Sequence, residues 1–435
     1  MGKDTKIIEG ITRLLVEFLR EQEIEPEEAE IRVREVVHKG GAAALGQRWS
    51  EEMAGEEPEK IGCECGGSLK RRSTRKKRLL TLLGPTKVER AYYWCRRCGK
   101  GRHLLDERLG CRGRAQTGKV QECVALTMAE ETYAGGRRLL STLANLEIPH
   151  HTLETITVEL GEALVEERDE QTARAFETEI ESPERPETLC VTTDGAKVPM
   201  RDGWREARLV AVFPHDIPPG GSEPESGRIS YSARVEDCEA TGKRMYAEAQ
   251  RRGAAHAKRI AVIGDGAEWI WNQAAEHFPQ VIEVVDWFHA TEHLWEVANG
   301  LFDQGSDKAR AWEQAREQEL KEGDVRLVIA RLRKLLYEKR RKKKRFRGSE
   351  QEHVLQRNLA YFESHQKRMD YARFRDDGLP IASGVVESAC KHYVAQRCKR
   401  SGMQWNKSGL HPVLELRSAL LSNEWHRVQN LFKAA

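Results

Sequence analysis

Apolar positions in the opening segment recur at helical spacing. Ile7, Ile8, Ile11, Leu14, Leu15 and Phe18 fall on one face of a 3.6-residue repeat, which predicts a helix. The acidic, proline-bearing stretch 22–28 breaks it, and a second helix follows to about Leu45. Residues 1–50 therefore read as an N-terminal helical region, able either to dimerise or simply to pack. The pattern then turns strand-like. Residues 79–83 and 87–94 are two apolar-rich runs around Gly84-Pro85, the signature of two strands joined by a turn. They mark a small module over 56–112. From 113 to 167 three short helical patterns appear, at about 118–131, 137–145 and 151–166, separated by Gly135-Gly136 and Pro149. This spacing suits a helix-turn-helix whose last helix would enter a DNA major groove, and equally suits any three-helix bundle. The acidic and then proline-rich stretch 168–188 reads as a linker.

Beyond 188 the pattern changes again. Runs at 189–194, 207–213 and 228–234 predict an antiparallel meander. A helix over about 239–252 follows, then a buried strand at 258–265, a helix from Ala267, and another strand at 280–286 leading into a further helix. Three strands followed by alternating helix and strand is the order of a ribonuclease-H-like core. Its first part spans 189–295. Residues 296–372 are charged and helical and read as an all-helical insertion, and 373–435 resume the core. The expected fold class is thus multidomain α/β: a ribonuclease-H-like catalytic core with a helical insertion, preceded by helical, zinc-ribbon-like and helix-turn-helix-like modules.

Length and composition add limits. A chain of 435 residues exceeds one ordinary core. With 39% hydrophobic and 32% charged residues, it has no apolar run long enough for a membrane span. Its first residues lack a secretory pattern. The expectation is a cytoplasmic protein, associated with the bacterial nucleoid when acting. Net charge is only +3, so the overall balance does not announce a nucleic-acid partner. The distribution does, because basic residues cluster at 71–78 and at Lys339, Arg340, Arg341, Lys342, Lys343, Lys344, Arg345 and Arg347. Such runs suit phosphate contact, and also suit a solvated helix face. Of ten cysteines, Cys63/Cys65 and Cys95/Cys98 form tight pairs flanking the predicted hairpin. This is a zinc-ribbon layout, expected to hold a structural Zn²⁺. His103 or Cys111 is an alternative fourth ligand.

Candidate chemistry lies in three carboxylates. Asp194 and Asp265 end predicted strands, each followed by glycine, and Glu387 lies in a predicted helix. Adjacent parallel strands bring such ends together at one sheet edge, and a helix packed across that edge adds the third acid. Like charges there repel unless a hard divalent cation with oxygen ligands relieves them. Two such ions can activate a nucleophile and stabilise a leaving oxygen in phosphoryl transfer. Asp-Gly is also a common turn pair. Glu387 can pair with Lys391 one turn on, while Ser383 is a poor capping partner for it. Asp286, which also ends a strand, competes with Asp265.

The motifs Thr192–Pro199 with Gly203–Leu209, Val262–Asn272, Val284–Ala290, and Ser383–His392 with Arg400–Trp405 resemble the DDE transposases. The resemblance is closest to the ISKra-type bacterial insertion-sequence group, relatives of Mutator-like elements. It implies a catalytic triad of Asp194, Asp265 and Glu387 holding two Mg²⁺ (or Mn²⁺) ions. It gives Asp286 and His289, in an Asp-x-x-His motif, an auxiliary place. It implies DNA partners, namely element ends and target DNA, and a homo-oligomer of at least two chains. One departure is Cys63-Glu64-Cys65, where the family usually shows Cys-x-x-Cys. Trp269, Trp271, Trp287 and Trp405 are candidates for stacking on an unpaired base, or for the core. The implied activity is Mg²⁺-dependent DNA cleavage and strand transfer. Its rivals are a catalytically silent, transposase-derived DNA-binding regulator and a stand-alone nuclease.

Overall fold

The computed structural model describes residues 3–21, 24–56, 58–178, 180–216, 225–226, 228–342, 346–382 and 384–433. They fall into two units, 1–157 with 426–435, and 158–425.

The first unit opens with α1 (Lys3–Glu21) and α2 (Pro26–Glu56). The second helix runs well past Leu45 because its later turns have a partner. Small residues face the β-hairpin: Ala42 is buried, and Gly46 lies against Thr86 and Lys87 with no room for a side chain. Ser50 Oγ accepts from Glu89 N at 3.0 Å. The sheet contains β1 (Lys60–Gly62), β2 (Ser68–Thr81), β3 (Gly84–Cys95) and β4 (Gly101–Arg102), antiparallel in that order. The predicted hairpin is therefore present, with a first strand long enough to absorb the whole basic run 71–78. Leu79, Val88, Leu105 and Cys111 form one small core, and Leu69, Ala91, Tyr93 and Cys95 another. After α3 (Leu104–Arg108) come α4 (Gly118–Glu130), α5 (Tyr133–Ala144) and α6 (His150–Glu177), close to the three helical patterns expected. Thr132 caps α5 by accepting from Gly135 N at 2.9 Å, and Asn145 ends it in a left-handed conformation.

The length of α6 corrects the linker expectation, since 168–177 is helix. An ion-pair network within the second unit explains this. Arg168, 3% exposed, donates to Glu415 at 2.5 Å and to Glu248 at 2.7 Å. Arg251 joins Glu248 to Glu424 at 3.0 and 2.7 Å. A buried guanidinium needs such partners, and the helix must continue to deliver it.

The second unit is built on β5 (Thr188–Met200), β6 (Gly203–Asp216), β7 (Glu225–Ser226), β8 (Ser230–Arg234), β9 (Arg259–Gly264) and β10 (Ile282–Val285). Strand order is β10-β9-β5-β6-β7, with β8 also paired to β6. β5, β6 and β8 form the expected antiparallel meander, while β9 and β10 extend it in parallel with β5. α7 (Cys238–Arg251) precedes β9, α8 (Glu268–His277) follows it, and α9 (Trp287–Leu301) follows β10. Then come α10 (Asp307–Lys321), α11 (Val325–Lys342), α12 (Glu350–His365) and α13 (Tyr371–Asp376). This helical stretch packs into the core of the sheet: Leu320, Val328, Leu355 and Phe362 share one apolar cluster with Val191, Val212, Ile263 and Phe278 of the sheet region. A second cluster joins Ala196, Val198, Leu209 and Ala211 to later residues Val386, Tyr393 and Leu414. Those residues belong to α14 (Gly384–Ala389), its π-helical continuation Cys390–Ala395 ahead of α15 (Gln396–Cys398), and α16 (Lys407–Leu421).

The last helix, α17 (His426–Asn430), belongs to the first unit and not to the resumed core expected over 373–435. Gln429 donates to Glu122 at 2.8 Å, and Phe432 lies over Gly110 and Gly118, where added side chains would meet its ring. Among the described residues, no helix is long and apolar enough to cross a membrane.

Candidate functional site

Three aspartates end up in one row. In the parallel ladder of β5 and β9, Thr192 pairs with Ile263, and β10 pairs Val285 with Gly264. Continuing that register puts Asp194 opposite Asp265, and Asp265 opposite Asp286. Asp265 and Asp286 directly follow the carboxyl ends of β9 and β10, whereas Asp194 does not end its strand as expected: β5 runs on to Met200 because β6 keeps pairing with it, and Asp194 stands just past the point where the parallel ladder with β9 stops. Ligand sites of open α/β sheets lie beyond the carboxyl ends of the strands.

The three differ in what they do locally. Asp286 is fully buried, and its Oδ1 accepts from Phe288 N at 2.7 Å and His289 N at 3.3 Å. It is the N-cap of α9. Asp265 accepts from Ala267 N at 2.8 Å, and its carbonyl receives the Tyr361 hydroxyl at 2.9 Å. Gly266 has φ +104°, and a Cβ there would lie 2.7 Å from the Tyr361 ring, so the turn needs glycine twice over. Tyr361 stacks on His293 with centroids 3.6 Å apart. Burial, then the charges of Asp265 and Asp286, push the Tyr361 hydroxyl far above its ordinary range, so it stays a donor. The His289 ring lies 3.4 Å from Glu292, one turn on in the same helix.

Glu387 comes from the opposite direction. Val386 and Ala389 bury α14 in the second cluster. Cys390, one turn after Glu387, donates to Asp194 Oδ2 at 3.3 Å. Asp194 Oδ1 accepts from Gly195 N at 2.6 Å. Burial, then Asp194, then Glu387 push the Cys390 thiol far up, so it remains a protonated donor to Asp194. The π-helical turn begins at Cys390, and such turns often mark functional positions. Among the described residues Glu387 and Lys391 form no ion pair; Ser383 lies outside those residues. Also among them, the three carboxylates do not converge within 4.8 Å, as a single-ion cage would require. A two-metal site spreads its ligands over ions roughly 3.5–4 Å apart, so it does not require that single-point convergence.

The four cysteines do converge. Their sulfurs all lie within 4.8 Å of one another, with neighbours at 3.5–3.6 Å. A tetrahedral site with Zn–S bonds of about 2.3 Å has sulfur edges of roughly 3.8 Å. A Cβ at Gly67 would stand 3.2 Å from the sulfurs of both Cys65 and Cys95, so glycine leaves the cradle open. The amide of Cys98, then that of Arg97, draw the Cys95 thiol down to about 6 against the cost of its burial. The single residue between Cys63 and Cys65 does not prevent convergence. The alternative ligands are engaged elsewhere: His103 Nδ1 meets Ala91 O at 2.9 Å, and Cys111 lies 3.7 Å from Lys77 Nζ.

Of the basic runs, 71–78 lies on β2 with Arg71, Arg72, Arg75, Lys76 and Arg78 exposed. The second run divides. Lys339, Arg340 and Arg341 belong to α11, and Lys343, Lys344 and Arg345 lie outside the described residues. Arg340 is tied to Glu352, which also accepts from Gly348 N at 2.6 Å, so it is not free for phosphate; Arg341 and Arg347 are exposed. The exposed side of α6 carries Glu154, Glu159, Glu162 and Glu166, which disfavours it as a groove-reading helix. Trp271 and Trp405 are buried beneath Arg368 and Arg397, and Trp269 and Trp287 pack on the sheet core. The exposed indole is Trp204, to which neither periodicity nor spacing points.

The model of an uncharacterised protein family, UPF0236, matches residues 68–431. Similar proteins come from Caldanaerobacter subterraneus subsp. tengcongensis. One UPF0236 protein is 24% identical over 373 residues, covering 82% of this chain and 71% of its own length. Its name carries eleven designations, TTE0033 to TTE2212. UPF0236 protein TTE2489 is also 24% identical, covering 82% of this chain and 72% of itself. A further relative, 23% identical, carries four designations, TTE0610 to TTE2432.

Proposed function

The chain belongs to the UPF0236 family, and on that premise we propose that it is a DDE-type transposase that cleaves and joins DNA. The observation that carries this reading is the register. It sets Asp194, where the β5–β9 ladder stops, beside Asp265, while α14 carries Glu387 one turn before Cys390, which donates to Asp194. In this reading the unit 158–425 is a ribonuclease-H-like core, and the cysteine cluster of the first unit is a zinc ribbon. A second support is the naming of the relatives. One protein bearing eleven designations in one organism reads as one sequence encoded at many loci, the trace left by an element that moves.

Asp194, Asp265 and Glu387 would hold Mg²⁺ or Mn²⁺, which when bound lowers the pKa of water and stabilises a leaving oxygen. The residues do the positioning. Asp265 is fixed by its turn and by Tyr361, and Cys390 orients Asp194. Asp286 carries no reaction step here; it fixes the start of α9. The exposed cations of β2 would meet DNA phosphates. Cys63, Cys65, Cys95 and Cys98 would hold Zn²⁺ as a structural ion.

The test is nicking of DNA carrying the sequences that flank the gene, with and without Mg²⁺. Wild-type protein should nick and then join strands. Asp265→Asn should bind the same DNA and lose at least a thousandfold in cleavage, about 4 kcal/mol of barrier. Undiminished cleavage by that variant removes the triad. Binding without cleavage by the wild type leaves a DNA-binding regulator, and cleavage without joining leaves a nuclease.

A further inference from the structure

We propose that the tip of the β5–β6 hairpin and the neighbouring loop 399–406 form a stacking platform for an unpaired base of single-stranded DNA. This deepens the reading above by naming where its substrate is held. Trp204 is 62% exposed, unusual for so large an apolar side chain. It stands at the hairpin tip, opposite Pro199 in the ladder. Backbone bonds fix the loop against β5: Trp405 N donates to Pro199 O at 3.0 Å, and Arg201 N to Trp405 O at 2.9 Å. The tip is thus a braced edge and not a free turn.

Its surroundings carry several cations, and the two exposed acids of the hairpin, Asp202 and Glu206, are each ion-paired to an arginine, Arg205 and Arg208. The Lys399 ammonium lies 5.8 Å from the Trp204 ring centroid. Arg201, Lys197 and Lys407 are exposed nearby in sequence and ladder. Asp202 is already engaged by Arg205 at 2.8 Å. A cleft of about 480 Å³ opens beside the indole, lined among others by Pro199, Arg201, Gly203, Met403 and Gln404, with no acidic side chain in its wall. An aromatic face beside cations and an acid-free cleft is what a single strand requires: stacking for a base and charge for its phosphates.

The platform lies on the same hairpin as the candidate site. Asp194 pairs with Leu209, and Trp204 lies roughly 17 Å along that strand at ~3.4 Å per residue. Between them Arg208 sits 5.5 Å from the ring centroid of Trp269, on the helix that follows Asp265. A strand bound at Trp204 therefore has a short path to the carboxylates.

The experiment uses the full chain and a short single-stranded oligodeoxynucleotide containing the fluorescent base aminopurine, with a blunt duplex of the same sequence alongside. Wild-type protein should bind the single strand and quench the analogue. Trp204→Ala should weaken binding tenfold or more, the size of one lost stacking contact, and abolish quenching, while Trp204→Phe keeps most of both. Lys399→Ala should lower the salt dependence by about 0.7 in logarithmic slope, one phosphate contact on a single strand. Full affinity and quenching in Trp204→Ala, or binding of the duplex alone, overturns the platform. The two readings fail separately. Asp265→Asn should quench like wild type. Cleavage with a Trp204-independent affinity removes the platform alone, and Trp204-dependent stacking without cleavage removes the enzyme alone.

Discussion

Asp286 shows how one residue type at one strand end acquires two meanings. A buried carboxylate beside the other two candidate aspartates invites a chemical role, yet its Oδ1 accepts from the first amides of α9. Asparagine can still accept those bonds and alanine cannot. Asp286→Ala should therefore cost ~1–2 kcal/mol in urea unfolding, and Asp286→Asn should lie near wild type. A stable Asp286→Asn that is dead in cleavage would return this residue to the reaction. His365 makes a second prediction at this scale. Burial, then Arg368 and His293, hold its imidazole down at about 4, below the ordinary 6.5. Above pH 6.5 it is neutral whether folded or unfolded. As pH falls from 6.5 towards 4, only the unfolded chain gains the proton, so stability drops by up to ~3 kcal/mol. Unfolding midpoints across that range should slope accordingly, and His365→Gln should flatten them. Of the candidate site, Asp265 and Asp286 at strand ends and the helix of Glu387 were legible because periodicity marks where strands stop; the place of Asp194 inside β5 was not, because pairing with β6 carries that strand on through Asp194-Gly195 to Met200. Cys390 and Tyr361 were not, because their roles come from contacts between residues far apart in sequence.

Among elements, the cysteine-flanked hairpin was read almost whole, since turn chemistry and cysteine spacing are local signals. What escaped is equally physical. The basic run 71–78 suited a solvated helix face, but pairing with β3 makes it a strand whatever its charge. The stretch 168–177 looked like a linker, but Arg168 finds Glu415 and Glu248 across gaps no sequence window spans. The hairpin carries its own prediction. With S···S edges of 3.5–3.6 Å ready for a tetrahedral ion, purified protein should hold zinc. Cys95→Ser should lose it and lower the melting temperature of the first unit, because binding such an ion is folding free energy. Zinc content unchanged in both Cys95→Ser and Cys98→Ser would exclude the cluster as the site.

For the whole molecule, the division into units does not follow chain order, because 426–435 completes the unit that begins at the other end. Phe432, half-buried against Gly110 and Gly118, ties that return in place. Phe432→Ala should cost ~1–2 kcal/mol in the first unit, less than the ~3–5 of a fully buried phenylalanine. Limited proteolysis should then cut the first unit sooner and leave 158–425 protected. The order of synthesis gives this return a further meaning. At ~5–20 residues per second, the ribosome needs some tens of seconds between Thr157 and His426. Throughout that interval the cysteine hairpin and its helices wait without their last piece. The candidate carboxylates, Glu387 included, have all been made by then. A truncated product of a damaged gene, stopping anywhere in the second unit, would carry an unfinished first unit into the cell, exposed to quality control.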